Sequence, residues 1–461
     1  MKPFTDTALL AGVTHLDRTA LVAAGRAWTW REVHAASVAQ AERLAGATTV
    51  CNLCGSRLAF LVTWLAALRR GSRQVLPPSG GYADLLAILK SSVEPVIVVD
   101  DERLLQPGWV AHARCLTWTP SHAAAPLPDS ALPWTFDEDA PLVCLYTSGS
   151  TGTPQAQSKS LGQLARGAQV LAARLDREVE GGLGVLQRII CSVPPQHMFG
   201  AETSVMLSLV TGLAVEDCRP LLPADVRAAF EAAGDGTAWI ATPLHLHALA
   251  QSGETVPNCR LVVASTMPLA PALAAQAEEL VRAPVMEIYG STETGVVAMR
   301  RTASEPNWRP VDGVRVEPTE AGTQVWGAHF VSPQTLADQV ELDGEGGFRL
   351  LGRRGDLIKI GGRRASLAGL NLLLQDLPGL GDGVFYLPAT GAPTERLVLI
   401  HAGDLLDRAA VEKWLRERMD PVFLPRAIIR VDRLPRTEGG KLQRAALDAI
   451  YAARPRREPG V

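Results

Sequence analysis

Short β-branched runs alternate with alanine-rich amphipathic stretches, and this alternation limits the possible folds more than any other feature of the chain. RLVVAST (Arg260–Thr266) and APVMEIYG (Ala283–Gly290) read as strands, and PLAPALAAQAEELV between them reads as a helix. VEPVIVVDD (Val93–Asp101) reads as another buried strand, and TWREVHAASVAQAERLAG (Thr29–Gly46) as a helix ending on glycine. Strands separated by helices pair in parallel, because each helix returns the chain to the start of the next strand. The expected class is therefore α/β, with parallel-rich sheets. At 461 residues the chain exceeds one compact core. The block DGEGGFRLLGRRGDLIKIGG (Asp343–Gly362) clusters charge and glycine as a junction does, which places a boundary near Arg353 and predicts units of 1–352 and 353–461. The second unit reads as a small α+β domain: a strand at RLVLIHAG, a helix at DRAAVEKWLRERM and an extended AIIRVDRLPRT.

Net charge is −3, which argues against nucleic acid as a partner. The sum conceals an asymmetry. Residues 353–461 hold 19 Lys and Arg against 13 Asp and Glu, a net of +6, which leaves −9 for the rest. A basic small unit suits polyanions such as nucleotides, coenzyme phosphates or an acidic carrier protein; it is equally a solvated surface with a chance bias. LAFLVTWLAAL (Leu58–Leu68), between Arg57 and Arg69, is too short to span a bilayer and reads as a buried helix. MKPFTDTALLAG lacks the apolar core of a signal peptide, so the expected location is cytoplasmic. Seven cysteines lie singly except Cys51-Asn-Leu-Cys54, which reads as two buried thiols near a strand rather than half a zinc site.

YTSGSTGTPQAQSKS (Tyr146–Ser160) follows the apolar run PLVCLY. It fails the Walker A pattern, because Pro154 stands five places after Gly149, and it fails the dinucleotide fingerprint as well. What remains is a strand followed by small and hydroxyl residues. Such a stretch is either a polar turn or an anion-binding nest of main-chain N–H groups, with Thr147, Ser148, Ser150 and Thr151 adding donors.

Three further segments bear on that choice: PPQHMFG (Pro194–Gly200), EIYGSTETG (Glu287–Gly295), and the C-terminal pair GRRGDLIKIGGR (Gly352–Arg363) and LPRTEGGKLQR (Leu434–Arg444). In order and spacing these segments resemble the adenylate-forming superfamily of acyl-CoA synthetases, peptide-synthetase adenylation domains and firefly luciferase, from about Thr29 to about Leu447. The resemblance implies a large N-terminal adenylation domain and a small mobile C-terminal domain, with ATP and Mg²⁺ as cofactors. It implies that Thr147, Ser148, Gly149, Ser150, Thr151 and Gly152 close over the nucleotide phosphates. Gln155 departs from the lysine usual after the proline, and Lys159, four residues on, can partly substitute. Glu293 takes the place of the Mg²⁺-holding glutamate, with Thr292 at the α-phosphate. Tyr289, flanked by Gly290 and Ser291, stacks on adenine, and Ser265 and Thr266 stand where relatives often read S-G-A. Asp338 and Arg353 take the ribose positions, although Leu336-Ala337-Asp338 departs from the usual T-G-D. Lys441 matches the mobile lysine that bridges carboxylate and α-phosphate; taken alone it is a solvated lysine on a glycine turn. Asp356 matches the hinge about which the small domain turns to present Lys359, Gly361, Gly362, Arg363 and Arg364 to the site.

His197 and Phe199 match the aromatic gate of the acyl pocket, whose walls are expected to include Trp239, Ala241, Thr242, Met267, Gly290 and Val296. Thr242, His245 and His247 are polar groups suited to an acid with a polar ring substituent. Overall the chain resembles the compact ligases of xanthomonadin and aryl-polyene pigment clusters, which load an aryl acid such as 4-hydroxybenzoate onto an acyl carrier protein. The expected activity is therefore ATP-dependent acid:thiol ligation to a carrier phosphopantetheine. A ligase using free coenzyme A and a non-catalytic adenylate-binding scaffold are the alternatives.

Overall fold

The structure, a computed structural model, describes residues 4–5, 16–77, 82–120, 126–128, 131, 135–147, 155–320, 322–353, 357–374, 377, 379–380, 382–388, 396–403, 407–436 and 442–453. The α/β class holds. Among these residues two large sheets dominate, one of nine strands and one of six. In the nine-stranded sheet Cys259–Ala264 pairs in parallel with Val285–Ser291 on one side and Thr237–Ala241 on the other, and Arg188–Cys191 and Ala214–Glu216 follow. The antiparallel strand Gly295–Arg301 closes back on Val285–Ser291. In the six-stranded sheet Arg73–Leu76, Thr49–Asn52, Pro95–Val99 and Arg114–Thr117 run parallel, and Val143–Thr147 joins them beside Arg73–Leu76.

The expected helices form for identifiable reasons. Thr29 caps Trp30–Arg43 through a reciprocal capping box with Glu32, and Pro271 opens the helix Pro271–Val281. The apolar run that is too short for a membrane is the helix Arg57–Arg70, capped by Ser56 and ended by Gly71 in a left-handed conformation, φ +64°. It lies in the middle of one apolar core with Trp30–Arg43 and Leu161–Glu178, and strands of both large sheets contribute to that core. A second core fills the outer face of the nine-stranded sheet beneath Pro223–Ala233, Pro243–Ser252 and Pro271–Val281. A third lies under Tyr82–Ser91 on the outer face of the six-stranded sheet. The result is a stack of helix, sheet, helix, sheet and helix. Among the described residues, no helix is long and apolar enough to cross a membrane.

Residues 358–423 build an apolar core of their own around Phe385, Leu399 and Leu415. Its elements agree with the expected ones: Val398–Ala402 and Ala427–Val431 are strands and Arg408–Arg416 a helix. Cys51, Cys54, Cys144, Cys191 and Cys259 are buried free thiols, and Cys115 and Cys218 are half-buried. Burial pushes Cys51 and Cys259 up to about 12.

His34 is fully buried and its Nδ1 accepts from Arg69 at 3.1 Å. Burial, with Arg69 beside it, lowers its pKa to about 3. The native state thus holds a neutral ring, whereas the unfolded chain takes up a proton near 6.5. The contribution of His34 to stability is complete above about pH 6.5 and is lost as pH falls toward 3. Between pH 7 and 4.5 wild type is expected to lose on the order of 2 kcal/mol more than His34→Gln. Urea melts of the pair at both pH values measure this; equal losses would remove His34 from the acid response.

Candidate active site

Two of the predicted segments, Pro194–Gly200 and Glu287–Gly295, lie at the carboxyl ends of strands of the nine-stranded sheet, where open α/β folds place their ligands. Val285–Ser291 carries Tyr289 there, and the Tyr289 hydroxyl donates to Asp338 Oδ2 at 3.0 Å. Asp338 opens a hairpin strand and lies directly opposite Arg353 in register. One bond and one strand pair therefore unite the three residues expected at base and ribose. The Tyr289 ring packs on Trp308 and Phe348, with centroids 5.5 and 5.8 Å away, which sets its plane.

Next to Tyr289 the ladder shifts register at Gly290. A Cβ on Gly290 would lie 2.0 Å from the Gly295 carbonyl oxygen, so no larger residue fits. The turn Ser291–Gly295 bears Thr292 and Glu293, both half-buried. It is closed internally, because the Ser291 N–H donates to Thr294 Oγ1 at 3.0 Å and the Thr294 N–H to Ser291 Oγ at 3.3 Å. Ser265 donates to the Ile288 carbonyl at 3.0 Å, which ties the end of the neighbouring strand to Tyr289's strand. Thr266 adopts φ +83°, a left-handed conformation costly for a β-branched residue, and its Oγ1 is buried without a partner. Met267 is half-buried beside it.

Ser148, Gly149, Ser150, Thr151 and Gly152 lie outside the described residues, as do Asp356 and Lys441. The flanks of the loop are described: Thr147 and Gln155 face each other at the end of the antiparallel pair Val143–Thr147 and Gln155–Lys159. Lys159 is no loop cation. Its side chain turns inward, is 5% exposed, and donates to the main-chain carbonyl of Glu293. Lys359, Gly361, Gly362 and Arg363 form the exposed end of a hairpin whose turn is permitted by φ of +54° and +81° at the two glycines. Arg363 pairs there with Asp420 at 3.6 Å.

The expected pocket walls divide. Phe199 and Val296 belong to the core between the sheets. His197 is half-buried at the start of Met198–Gly200, and Gly200 is required because a Cβ would lie 2.0 Å from the Pro194 carbonyl oxygen. Trp239 and Ala241 point the other way, into the core beneath the outer helices, because alternate residues of a strand face opposite sides of the sheet. Trp239 is fully buried, and its indole N–H donates to Ser192 Oγ at 3.0 Å. Both are packing residues rather than pocket walls. Thr242 caps Pro243–Ser252, and its N–H donates to His245 Nδ1 at 3.1 Å. Burial, with Arg219 nearby, lowers His245 to about 4, so the ring is a neutral cap partner.

Nothing in the sequence pattern singles out Glu287, Glu202 or His329. Glu287 is 3% exposed, pairs with Arg300 at 2.8 Å and accepts from the Leu269 N–H at 2.9 Å, which fixes the loop carrying Ser265–Met267. Glu202 and His329, each 3% exposed, contact Val296: its N–H donates to Glu202 Oε1 at 3.2 Å, and its carbonyl accepts from His329 Nε2 at 2.8 Å. Among the described residues no cluster of His, Cys, Asp and Glu has the makeup of a self-sufficient metal site. A single carboxylate at Glu293 suits Mg²⁺, which takes most of its oxygen ligands from phosphates and water.

Residues 11–329 match the model of the AMP-binding enzyme family, and the chain belongs to that family. It is an acid–thiol ligase of the adenylate-forming kind, with ATP as its nucleotide. The chain is 26% identical over 301 residues to the 4-coumarate–CoA ligase of Cereibacter sphaeroides, across 64% of this chain and 69% of that protein. It is 26% identical over 427 residues to the p-hydroxybenzoic acid–AMP ligase of Mycobacterium tuberculosis, across 83% of this chain but 59% of that protein. In fold it is similar to the o-succinylbenzoate coenzyme A synthetase of Bacillus subtilis solved with ATP and magnesium ion, with a TM-score of 0.82, 19% identity, and coverage of 96% of this chain and 99% of that one.

Proposed function

We propose that the chain activates an aryl carboxylic acid, such as 4-hydroxybenzoate, as its acyl-adenylate and passes the acyl group to the phosphopantetheine thiol of an acyl carrier protein. The observation that supports the adenylation half is the Tyr289–Asp338 hydrogen bond beside the turn that bears Glu293, which brings the residues assigned here to base, ribose and metal to one end of the sheet. Tyr289 lies on the base, with Ser265, Thr266, Gly290 and Ser291 around it. Asp338 and Arg353 hold the ribose hydroxyls. Thr147–Gly152 and Thr292 surround the phosphates.

A carboxylate is a poor electrophile toward a thiol, and its attack on the α-phosphate brings two anions together. Lys441 supplies the positive charge at that contact, in a region where water is excluded and charge acts strongly. Glu293 would hold Mg²⁺, which when bound would supply positive charge to the phosphates. His197, Phe199, Met267 and Val296 shape the acyl end, and Thr242 stands at the end of its strand nearby. Residues 353–461 form the mobile unit. They turn at Asp356 to withdraw Lys441 and bring in the hairpin of Lys359 and Arg363, opening the route for the thiol.

The aryl assignment is supported by the likeness to ligases of 4-coumarate and p-hydroxybenzoate. The net charge of +6 on residues 353–461 suits an acidic carrier protein as acceptor, and it suits the phosphates of coenzyme A nearly as well. Acid-dependent ATP–pyrophosphate exchange over benzoates, cinnamates and fatty acids tests the first assignment, with exchange expected only for aryl acids. Thioester yield with carrier protein against free coenzyme A tests the second; equal yields would return the chain to the CoA ligases. Asp356→Pro is expected to spare exchange and to reduce thioester turnover about 100-fold by stiffening the hinge. Normal thioester turnover in that variant would exclude Asp356 as the pivot.

A further inference from the structure

The turn that carries Glu293 is held from outside by charged side chains that contribute nothing to its sequence pattern. Lys159, the last residue of Gln155–Lys159, donates to the Glu293 carbonyl. On the far side of Gly295, the Val296 N–H donates to Glu202 Oε1 at 3.2 Å. Gly295 adopts φ +71°, and a Cβ there would lie 2.9 Å from that same carboxylate oxygen, so the turn sits directly on Glu202. Glu202 belongs to the π-helical segment Ala201–Met206. Such segments often occur at functional sites. None of these bonds uses the carboxylate of Glu293.

A buried ammonium and a buried carboxylate are costly unless each is compensated. Burial draws Lys159 down, while Glu202 and Glu293 draw it up. Burial pushes Glu202 up to about 7 against the pull of the Val296 N–H and Lys159. The pair therefore faces into one small buried region, with His329 closing it from the Val296 carbonyl.

We infer that Lys159 and Glu202 are positioning residues for the Glu293 turn: Lys159 fastens it to the strand Gln155–Lys159 and Glu202 holds its far end, so that the metal-bearing carboxylate is set in place. The inference rests on the reading that Glu293 carries Mg²⁺. Charge is needed because a main-chain carbonyl at the edge of a nucleotide site must keep its partner while phosphates arrive and leave. An ammonium donor is stronger than a neutral one.

The test compares wild type, Lys159→Met, and the double variant Lys159→Met with Glu202→Leu. The double variant leaves no lone buried carboxylate and so keeps the comparison valid if the single variant folds poorly. Calorimetry with a non-hydrolysable ATP analogue, with and without Mg²⁺, measures the gain in affinity due to the metal. Thioester formation from supplied acyl-adenylate is measured beside it. The double variant is expected to bind the metal-free analogue as wild type does, to lose at least about tenfold of the Mg²⁺-dependent gain, and to retain the thioester step. An unchanged gain, or equal weakening with and without metal, would overturn the positioning role. Absence of any Mg²⁺-dependent gain in wild type would instead sink the assignment of Glu293, and the inference with it.

Discussion

Lys441→Ala should reduce acid-dependent ATP–pyrophosphate exchange by about 10²–10³-fold, the loss typical of removing one preorganised charge from a transition state. Thioester formation from supplied acyl-adenylate should continue at the wild-type rate. The asymmetry follows from the chemistry. A cation between carboxylate and α-phosphate is required only while those two anions approach; once the mixed anhydride exists, the thiol meets a neutral carbonyl. In the proposed second pose, the hairpin of Lys359 and Arg363 occupies the place from which Lys441 has been withdrawn. Measuring the two half-reactions separately decides the matter, since a parallel loss in both would mean that Lys441 serves the fold or both poses alike.

The largest expected effect on stability belongs to Arg57. Its guanidinium is part of a side chain only 6% exposed. It donates to the carbonyls of Cys191 and Val193 at 2.5 and 2.8 Å, to Ser204 Oγ at 2.9 Å and to the Cys218 carbonyl at 3.4 Å. The Arg57 N–H and the Ser56 hydroxyl donate to Asp217 at 2.5 and 2.7 Å. This single residue joins the start of a central helix to the end of a strand in the nine-stranded sheet, where the chain turns into Pro194–Gly200. Arg57→Met would fill much of the space but strand several buried carbonyls and the Ser204 hydroxyl. The expected cost is about 3–5 kcal/mol from the unsatisfied buried acceptors, read as a fall of roughly 5–15 °C in Tm. Because those carbonyls immediately precede His197, the acyl end of the site should loosen as well. A variant melting within a degree or two of wild type would show that the bonds are replaceable by water.

The layered architecture was legible because strand and helix periods differ and caps are local. Thr29 with Glu32, and Pro271 at a helix start, act within a few residues and can be read directly. The turn around Glu293 was legible as a pattern, since Gly290 is dictated by a backbone contact 2.0 Å away that no side chain survives. Orientation across a doubly covered sheet was not. Thr237–Ala241 is apolar on both faces, so its alternation does not reveal which face Trp239 takes. Lys159 was read as a phosphate-loop cation because it follows the loop in sequence, but its partner, Glu293, lies 134 positions away. Glu202 gave no signal either, because a π-helical turn has no sequence period of its own.

The inward-facing thiols have a practical consequence. A sulfur held in its protonated form and shielded by packed neighbours meets alkylating reagents only when the surrounding structure opens. Labelling kinetics at Cys51 and Cys259, followed by mass, would therefore read the opening free energy of two different layers in one experiment. The polypeptide carries its own gauge of cooperativity, already installed in each of its two large sheets.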